Sequence, residues 1–136
     1  MFLSFIISAL LIARAHPSPT PTPTPTPPPE NTAITAIARH EFVALQAGAV
    51  DKSHYADAAA AELTPDTTEK MSKMLSSYGA LVHVEWVGTF PLVGAPAGAI
   101  GYTYKMDCTN APVYEQLMIG ADGKIYSVNF LKKLPD

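Results

Sequence analysis

The chain has 136 residues, and its 15% charged residues and formal net charge of −3 at pH 7 are typical of an ordinary globular domain. The mildly acidic balance contains no stripe of Lys or Arg, so we expect no nucleic-acid partner. The single cysteine, Cys108, excludes an intramolecular disulfide and is expected to be a small, buried residue of a strand. No GxSxG, P-loop, dinucleotide, HExxH or CxxC motif occurs, so no motif-marked enzyme class is favoured and no cofactor is predicted.

Residues 1–15 have the pattern of a secretory signal peptide. The apolar stretch from Phe2 to Ala13 is shorter than the roughly 20 residues that a spanning helix needs. Ala13 and Ala15 give the small-x-small pattern of a signal peptidase site, and cleavage there would leave His16 as the N-terminus. We therefore predict a secreted or extracytoplasmic protein, in the periplasm or at the cell surface. The alternative is an uncleaved anchor, the one case in which a membrane partner is expected.

A proline-rich linker follows at residues 16–30. From Pro17 to Pro29 it consists largely of alternating Pro and Thr, which fixes φ at every second residue and removes backbone donors. Such a run is predicted to be a solvated polyproline II spacer rather than part of a core. The remaining segment, residues 31–136, has the size of one domain.

Three helices are predicted at the start of this domain. Asn31 or Thr32 can cap the first helix and Gly48 can end it, while Asp51 can cap the second. Pro65 suits the first turn of the third. The predicted helices run from Thr32 to Ala47, from Tyr55 to Glu62 and from Thr64 to about Gly79.

From Leu81 the hydrophobic period changes from 3.6 to 2, which indicates strands up to the end of the domain. Asp122 and Gly123 are typical of a tight hairpin turn. The pattern predicts an α+β fold with N-terminal helices packed on a curved, four-stranded antiparallel meander. The predicted strands are Leu81 to Phe90, Ile100 to Thr109, Val113 to Ile119 and Lys124 to Leu131.

Local sequence features accompany this order of elements. They are the first helix closing at Gly48 before Asp51, the segment Ser77 to Ala80, the strand around Trp86, YTYK at Tyr102 to Lys105, and the hairpin Ala121 to Ile125. Together with the order of elements, they resemble the nuclear transport factor 2-like superfamily, which includes ketosteroid isomerase, scytalone dehydratase and SnoaL-like polyketide cyclases. The similarity covers about Thr32 to Phe130 and is greatest for small secreted members. It implies a cone-shaped, barrel-like α+β domain with a pocket at its open end, where catalytic members place an Asp, His or Tyr. No local motif aligns with such a catalytic set, so no catalytic residue is carried over.

Three residues of the strands are weak candidates for catalysis. His83 and Glu85 share one face of the first strand and could serve as an acid–base pair, although a solvent-facing polar face is the favoured interpretation. A metal site would need a third ligand, such as Asp107 on a neighbouring strand, and we predict no metal site in the chain. Glu115 lies in an apolar row, so it is either a pocket carboxylate with a raised pKa or, as we favour, a strand-end residue that reaches water.

Aromatic residues of the strands are candidates for ligand binding. Tyr102 and Tyr104 share one face of the second strand, and aromatic side chains there could line a pocket or simply pack in the core. The candidates are Trp86, Tyr102, Tyr104 and Tyr114.

The helices carry two further groups of polar residues. His54 and Asp57 are three positions apart on the predicted second helix, a spacing that would place them side by side on a solvated face. His40 and Glu41 are interpreted as solvent-facing residues of the first helix, away from the stripe of Ile34, Ala38, Phe42 and Leu45.

Three functions are compatible with these features. We favour a secreted, non-catalytic module that binds a small apolar ligand in a pocket or forms a homodimer through its sheet, because no convergent polar cluster is visible in the sequence. One alternative is an isomerase, dehydratase or cyclase that uses a pocket carboxylate or a histidine base, which depends on fold analogy alone. Another is a structural domain displayed on the cell surface by its stalk.

Overall fold

The computed structural model of the chain describes residues 19–23 and 28–136. The predicted signal peptide, the cleavage site and part of the spacer lie outside these residues. Within the described ranges, no helix is both long and apolar enough to cross a membrane.

Helix α1 (Thr32–Ala47) has the predicted bounds and the predicted caps. The side chain of Asn31 accepts hydrogen bonds from the backbone N–H groups of Ala33 and Ile34, which otherwise have no intrahelical acceptor. Gly48 ends the helix in the left-handed conformation with φ 71°, where the lack of a Cβ avoids a clash.

The second helical segment differs from the prediction. Asp51 caps a short 3₁₀ turn, Lys52–His54, and the α-helix α2 (Asp57–Glu62) begins only afterwards. Between them Tyr55 is extended and bridges to Ile125, while the N–H of Ala56 donates to the carbonyl of Ile125 at 2.8 Å. This pairing with the sheet edge competes with helical hydrogen bonds and overrides the helix propensity of the sequence.

Helix α3 (Pro65–Ser76) begins as predicted and ends before Gly79. The hydroxyl of Thr64 accepts from the N–H of Thr67 and caps the helix, with Pro65 in its first turn. Leu75 is fully buried, whereas Met74 next to it is 41% exposed.

The sheet has four antiparallel strands in the order β1-β2-β3-β4, each hydrogen-bonded to the next in the chain. It is open, with β1 and β4 at its edges, and the helices precede it in the sequence. The predicted α+β class is therefore confirmed. The strands are β1 (Leu81–Phe90), β2 (Ile100–Cys108), β3 (Pro112–Ile119) and β4 (Ile125–Leu131).

The core lies between the helices and one face of the sheet. On this face Tyr104, Glu115 and Phe130 are direct neighbours across three successive strands. Cys108, at the end of β2, is half-buried and packs against the core, and burial raises the pKa of its thiol. Two acidic residues, Glu41 and Glu115, are buried with the apolar residues, an unusual location for carboxyl groups. The largest apolar core residues are Phe42, Leu45, Leu75, Tyr104, Met106, Leu117 and Ile125.

Candidate functional site

A cleft of about 510 Å³ lies between α1, the 3₁₀ turn Lys52–His54 and the turn between β3 and β4. Its size falls within the roughly 300–1,000 Å³ typical of small-molecule pockets. Apolar side chains form part of its wall, and several polar groups converge on it. The apolar residues are Ala36, Ile37 and Ile125, and the polar side chains belong to His40, Glu41, Ser53, His54, Asp122 and Lys124.

Glu41 is the buried polar group of this cleft. Its side chain is 2% exposed, so the prediction of a solvent-facing residue is wrong. It lies three residues after Ala38 and four before Leu45, a spacing that places it on the buried stripe of α1. Both carboxylate oxygens are hydrogen-bonded: Oε2 accepts from the Tyr55 hydroxyl at 2.7 Å, and Oε1 lies 2.9 Å from Nδ1 of His54.

The hydroxyl of Tyr55 fixes Oε2 of Glu41 through a hydrogen bond. The tyrosine is buried, and its pKa is raised by burial first and by its hydrogen bond to Glu41 second. It therefore remains protonated and a hydrogen-bond donor at neutral pH. Its position depends on the bridge to Ile125, which ties the segment before α2 to the sheet.

His54 joins the buried carboxylate to the open part of the cleft. Its side chain is 44% exposed, and its Nε2 atom lies 3.6 Å from Oδ2 of Asp51. Asp51 also caps the 3₁₀ turn, and hydrogen bonds from Ser53 lower the pKa of its carboxyl. The imidazole of His40 approaches from α1, with the two ring centroids 5.7 Å apart. His54 lies on the 3₁₀ turn and Asp57 begins α2, so the prediction that they share one helix face is wrong.

The opposite rim is formed by the β3–β4 turn. Lys124 extends its ammonium group to the carbonyl of Ser53 at 2.7 Å, which fastens this turn to the 3₁₀ turn. Asp122 accepts from the backbone N–H of Lys124 and from the hydroxyl of Tyr126, and these bonds lower the pKa of its carboxyl. The rim thus places a cationic and an anionic group at the entrance of the cleft.

Glu115 is the second buried carboxyl group. It is 0% exposed, so the favoured prediction of a strand-end residue that reaches water is wrong. Neither of its oxygens has a hydrogen-bond partner among the described residues. Burial, and to a lesser extent the charge of Glu41, raises the pKa of Glu115 well above its ordinary value of 4.5. It lies in the middle of the core face of β3 and is not a wall residue of the cleft.

The other catalytic candidates lie away from the cleft. His83 and Glu85 are exposed on β1, where His83 is paired across the strands with Asp107 and Glu85 with Lys105. The three residues whose ligand atoms converge as in a metal site, within the part of the chain that the structure describes, are instead His40, Glu41 and His54.

The four aromatic candidates also lie outside the cleft wall. Tyr104 is fully buried in the core, where burial raises its pKa to about 12. Trp86 packs against the rings of Tyr102 and Tyr104, and its indole N–H donates to the carbonyl of Pro28 at 3.0 Å. Tyr114 is half-buried on β3 and faces away from the core. The structure thus brings Trp86, Tyr102 and Tyr104 together, with Trp86 in contact with Pro28 near the end of the linker.

Comparison with family models, curated proteins and solved structures found no match. The resemblance to the nuclear transport factor 2-like superfamily therefore stays a prediction from the sequence.

Proposed function

We propose that this domain binds a small, largely apolar molecule in the cleft between α1, the 3₁₀ turn and the β3–β4 turn. The observation that carries the proposal is the buried carboxylate of Glu41, held by Tyr55 and His54 at the wall of a cavity that is lined by apolar and polar side chains together. Pockets of this kind combine apolar area for affinity with a few fixed polar groups for orientation. The ligand is expected to carry a polar group that faces Glu41 and His54.

Preorganisation favours binding at this site. Both oxygens of Glu41 are already fixed by hydrogen bonds, and Lys124 fastens the opposite rim to the 3₁₀ turn. A ligand therefore does not have to order these groups when it binds, which reduces the entropic cost of association.

The cleft can be tested with 1-anilinonaphthalene-8-sulfonate, an amphipathic fluorescent probe. Ala36 lies on the cleft wall and is exposed, so Ala36→Phe fills the cavity without disturbing the core. Ala33 is exposed on the same helix outside the cleft wall, and Ala33→Phe adds the same apolar ring as a matched control. We expect Ala36→Phe to weaken probe binding by about tenfold or more, which corresponds to about 1.4 kcal/mol. Equal probe affinity of the two variants, or no binding to the full chain, would contradict the proposal.

We also propose that the protein works outside the cytoplasm after removal of residues 1–15. The support is the apolar leader with its small-x-small site, followed by the Pro/Thr spacer. Intact-mass measurement of protein from the producing cells and their medium is expected to give a chain that begins at His16. A chain that retains residues 1–15 would instead favour the stalked surface domain. The same sample, measured by light scattering, tests the predicted homodimer.

A second candidate function is acid–base catalysis in the same cleft. The specific observation is the pairing of His54 Nδ1 with the buried Glu41 at 2.9 Å, because a carboxylate that orients an imidazole is a common arrangement for a general base. If a turnover is found, His54→Gln is expected to abolish it, whereas His83→Gln on exposed β1 leaves it unchanged. Full turnover by His54→Gln would exclude this candidate.

A further inference from the structure

We propose that His40, Glu41 and His54 bind a divalent transition-metal ion at the wall of the cleft. Each residue offers one ligand atom, and these atoms all lie within 4.8 Å of one another. Two of the residues come from α1 and the third from the 3₁₀ turn, so the site joins two elements that Tyr55 already connects through its hydrogen bond to Glu41. This inference does not depend on the binding of an organic ligand.

The distance between Nδ1 of His54 and Oε1 of Glu41 is compatible with both atoms binding one metal ion. Two ligands bound at about 2.1 Å are separated by about 3.0 Å when they are 90° apart and by about 3.4 Å at a tetrahedral angle. Nδ1 of His54 and Oε1 of Glu41 lie 2.9 Å apart, which is close to the first value. His40 is exposed, so rotation of its side chain can bring its imidazole to the same ion without rearrangement of the core.

Glu41 and His54 each have a further polar neighbour on the atom that does not face the ion. The hydroxyl of Tyr55 occupies Oε2 of Glu41, which leaves Oε1 as the ligand atom. Oδ2 of Asp51 lies 3.6 Å from Nε2 of His54. On binding, the ion takes the place of the hydrogen bond between Nδ1 and Oε1, and the neutral ring binds it as the tautomer whose proton is on Nε2, the atom nearest Asp51. Carboxylate and hydroxyl groups in such outer positions fix the orientation of metal ligands in proteins.

The donor set indicates which ions would bind. Two imidazole nitrogens and one carboxylate oxygen suit Zn²⁺, Co²⁺ or Ni²⁺, whereas Mg²⁺ and Ca²⁺ prefer sites made of oxygen alone. Three protein ligands leave at least one coordination position, which would face the cleft and be available to water or to an anionic group.

The test is a titration of the chelator-treated full chain with Co²⁺, followed by its visible absorption and by calorimetry. We expect one Co²⁺ per chain, displaced by Zn²⁺ and not by Mg²⁺. His40→Ala removes an exposed side chain and is expected to weaken binding by about tenfold or more while circular dichroism stays unchanged. His83→Ala, which removes an exposed histidine of β1, is the matched control, and His16→Ala controls for the histidine at the start of the proline-rich linker; both are expected to retain the affinity.

Two results would overturn the proposal. One is the absence of Co²⁺ binding to the full chain, and the other is an affinity of His40→Ala equal to that of His83→Ala. Glu41→Gln provides a second check on Co²⁺ affinity. It keeps the shape of the side chain and removes its negative charge, so it is expected to weaken Co²⁺ binding. Binding of 1-anilinonaphthalene-8-sulfonate is measured on the same metal-free samples, so failure of the metal site and failure of the cleft are distinguishable.

Discussion

Glu41 and Glu115 are buried in the same core with opposite hydrogen-bonding states. Both oxygens of Glu41 are paired, with Tyr55 and with His54, whereas neither oxygen of Glu115 has a partner among the described residues. A buried carboxylate without donors loses its hydration without compensation, so the charged form of Glu115 is strongly disfavoured. One core therefore holds a pre-oriented side chain, Glu41, at a cleft and a second carboxyl group, Glu115, whose protonated form is favoured by burial.

Glu115 is expected to make the protein less stable as the pH rises. Its folded-state pKa is raised well above the ordinary value of 4.5. Above that value the unfolded chain ionises at Glu115 while the folded chain remains protonated, so the folded state binds more protons. The free energy of unfolding then falls by about 1.4 kcal/mol per pH unit until the folded state also ionises. Glu115→Gln and Glu115→Met are expected to remove this slope in urea denaturation measured from pH 5 to pH 8.

The exposed Glu85 supplies the control for this pH series. Glu85→Gln removes a carboxyl group from β1 without changing the core, so the slope of the wild-type chain is expected to persist. Two different core variants are used because an amide at position 115 would itself lack hydrogen-bond partners. A slope that persists in both core variants would show that Glu115 is not its source.

Tyr55→Phe tests how much the hydrogen bond from the Tyr55 hydroxyl to the buried Glu41 contributes to the stability of the fold. The substitution keeps the ring and deletes the hydroxyl that donates to Oε2 at 2.7 Å. A buried acceptor left without its donor is expected to cost about 1–3 kcal/mol in the free energy of unfolding, measured in chelator-treated buffer. Tyr126→Phe removes a comparable hydroxyl that bonds to exposed Asp122 and is expected to have a much smaller effect. Equal losses in the two variants would argue against a special role for Tyr55.

The fold class could be predicted because the hydrophobic period changes from 3.6 to 2 near Leu81 and because caps mark the helix ends. Asn31, Gly48 and Thr64 act through neighbouring backbone groups, so their effect is local and visible in the sequence. The start of α2 was not predictable in the same way. It depends on the pairing of Tyr55 with Ile125, two residues 70 positions apart in the chain.

The candidate site could be predicted only in part. The sequence interpretation set Glu41 away from the apolar stripe of α1, whereas its spacing from Ala38 and Leu45 puts it on the buried face of the helix. The partners that make its burial tolerable, His54 and Tyr55, follow thirteen and fourteen residues later, beyond the end of the helix. A local sequence pattern does not show that the 3₁₀ turn folds back against α1, so the contacts of His54 and Tyr55 with Glu41 became visible only in the structure.

Gly79→Ala is expected to be strongly destabilising because two separate effects coincide. Gly79 has φ 84°, which costs a residue with a Cβ about 1–2 kcal/mol. A Cβ at this position would also clash with the hydroxyl oxygen of Thr109 and lie 3.2 Å from the backbone N of Asn110. Gly94 has a similar φ of 69° with nothing within 4 Å, so Gly94→Ala isolates the conformational cost. Thermal denaturation is expected to show a clearly larger loss for Gly79→Ala, and equal losses would exclude the contribution of the clash.

Trp86 is expected to report the attachment of the spacer to the domain. It is the single tryptophan of the chain, and its indole N–H donates to the carbonyl of Pro28 at 3.0 Å. A chain that begins at Glu30 lacks this acceptor and exposes the ring edge, so we expect its emission to shift to longer wavelength and to be quenched more strongly by acrylamide. Deletion of the exposed residues 19–23 shortens the spacer but retains Pro28, and this variant is expected to keep the emission of the full chain. Identical spectra for all three chains would show that Pro28 does not shield Trp86 in solution.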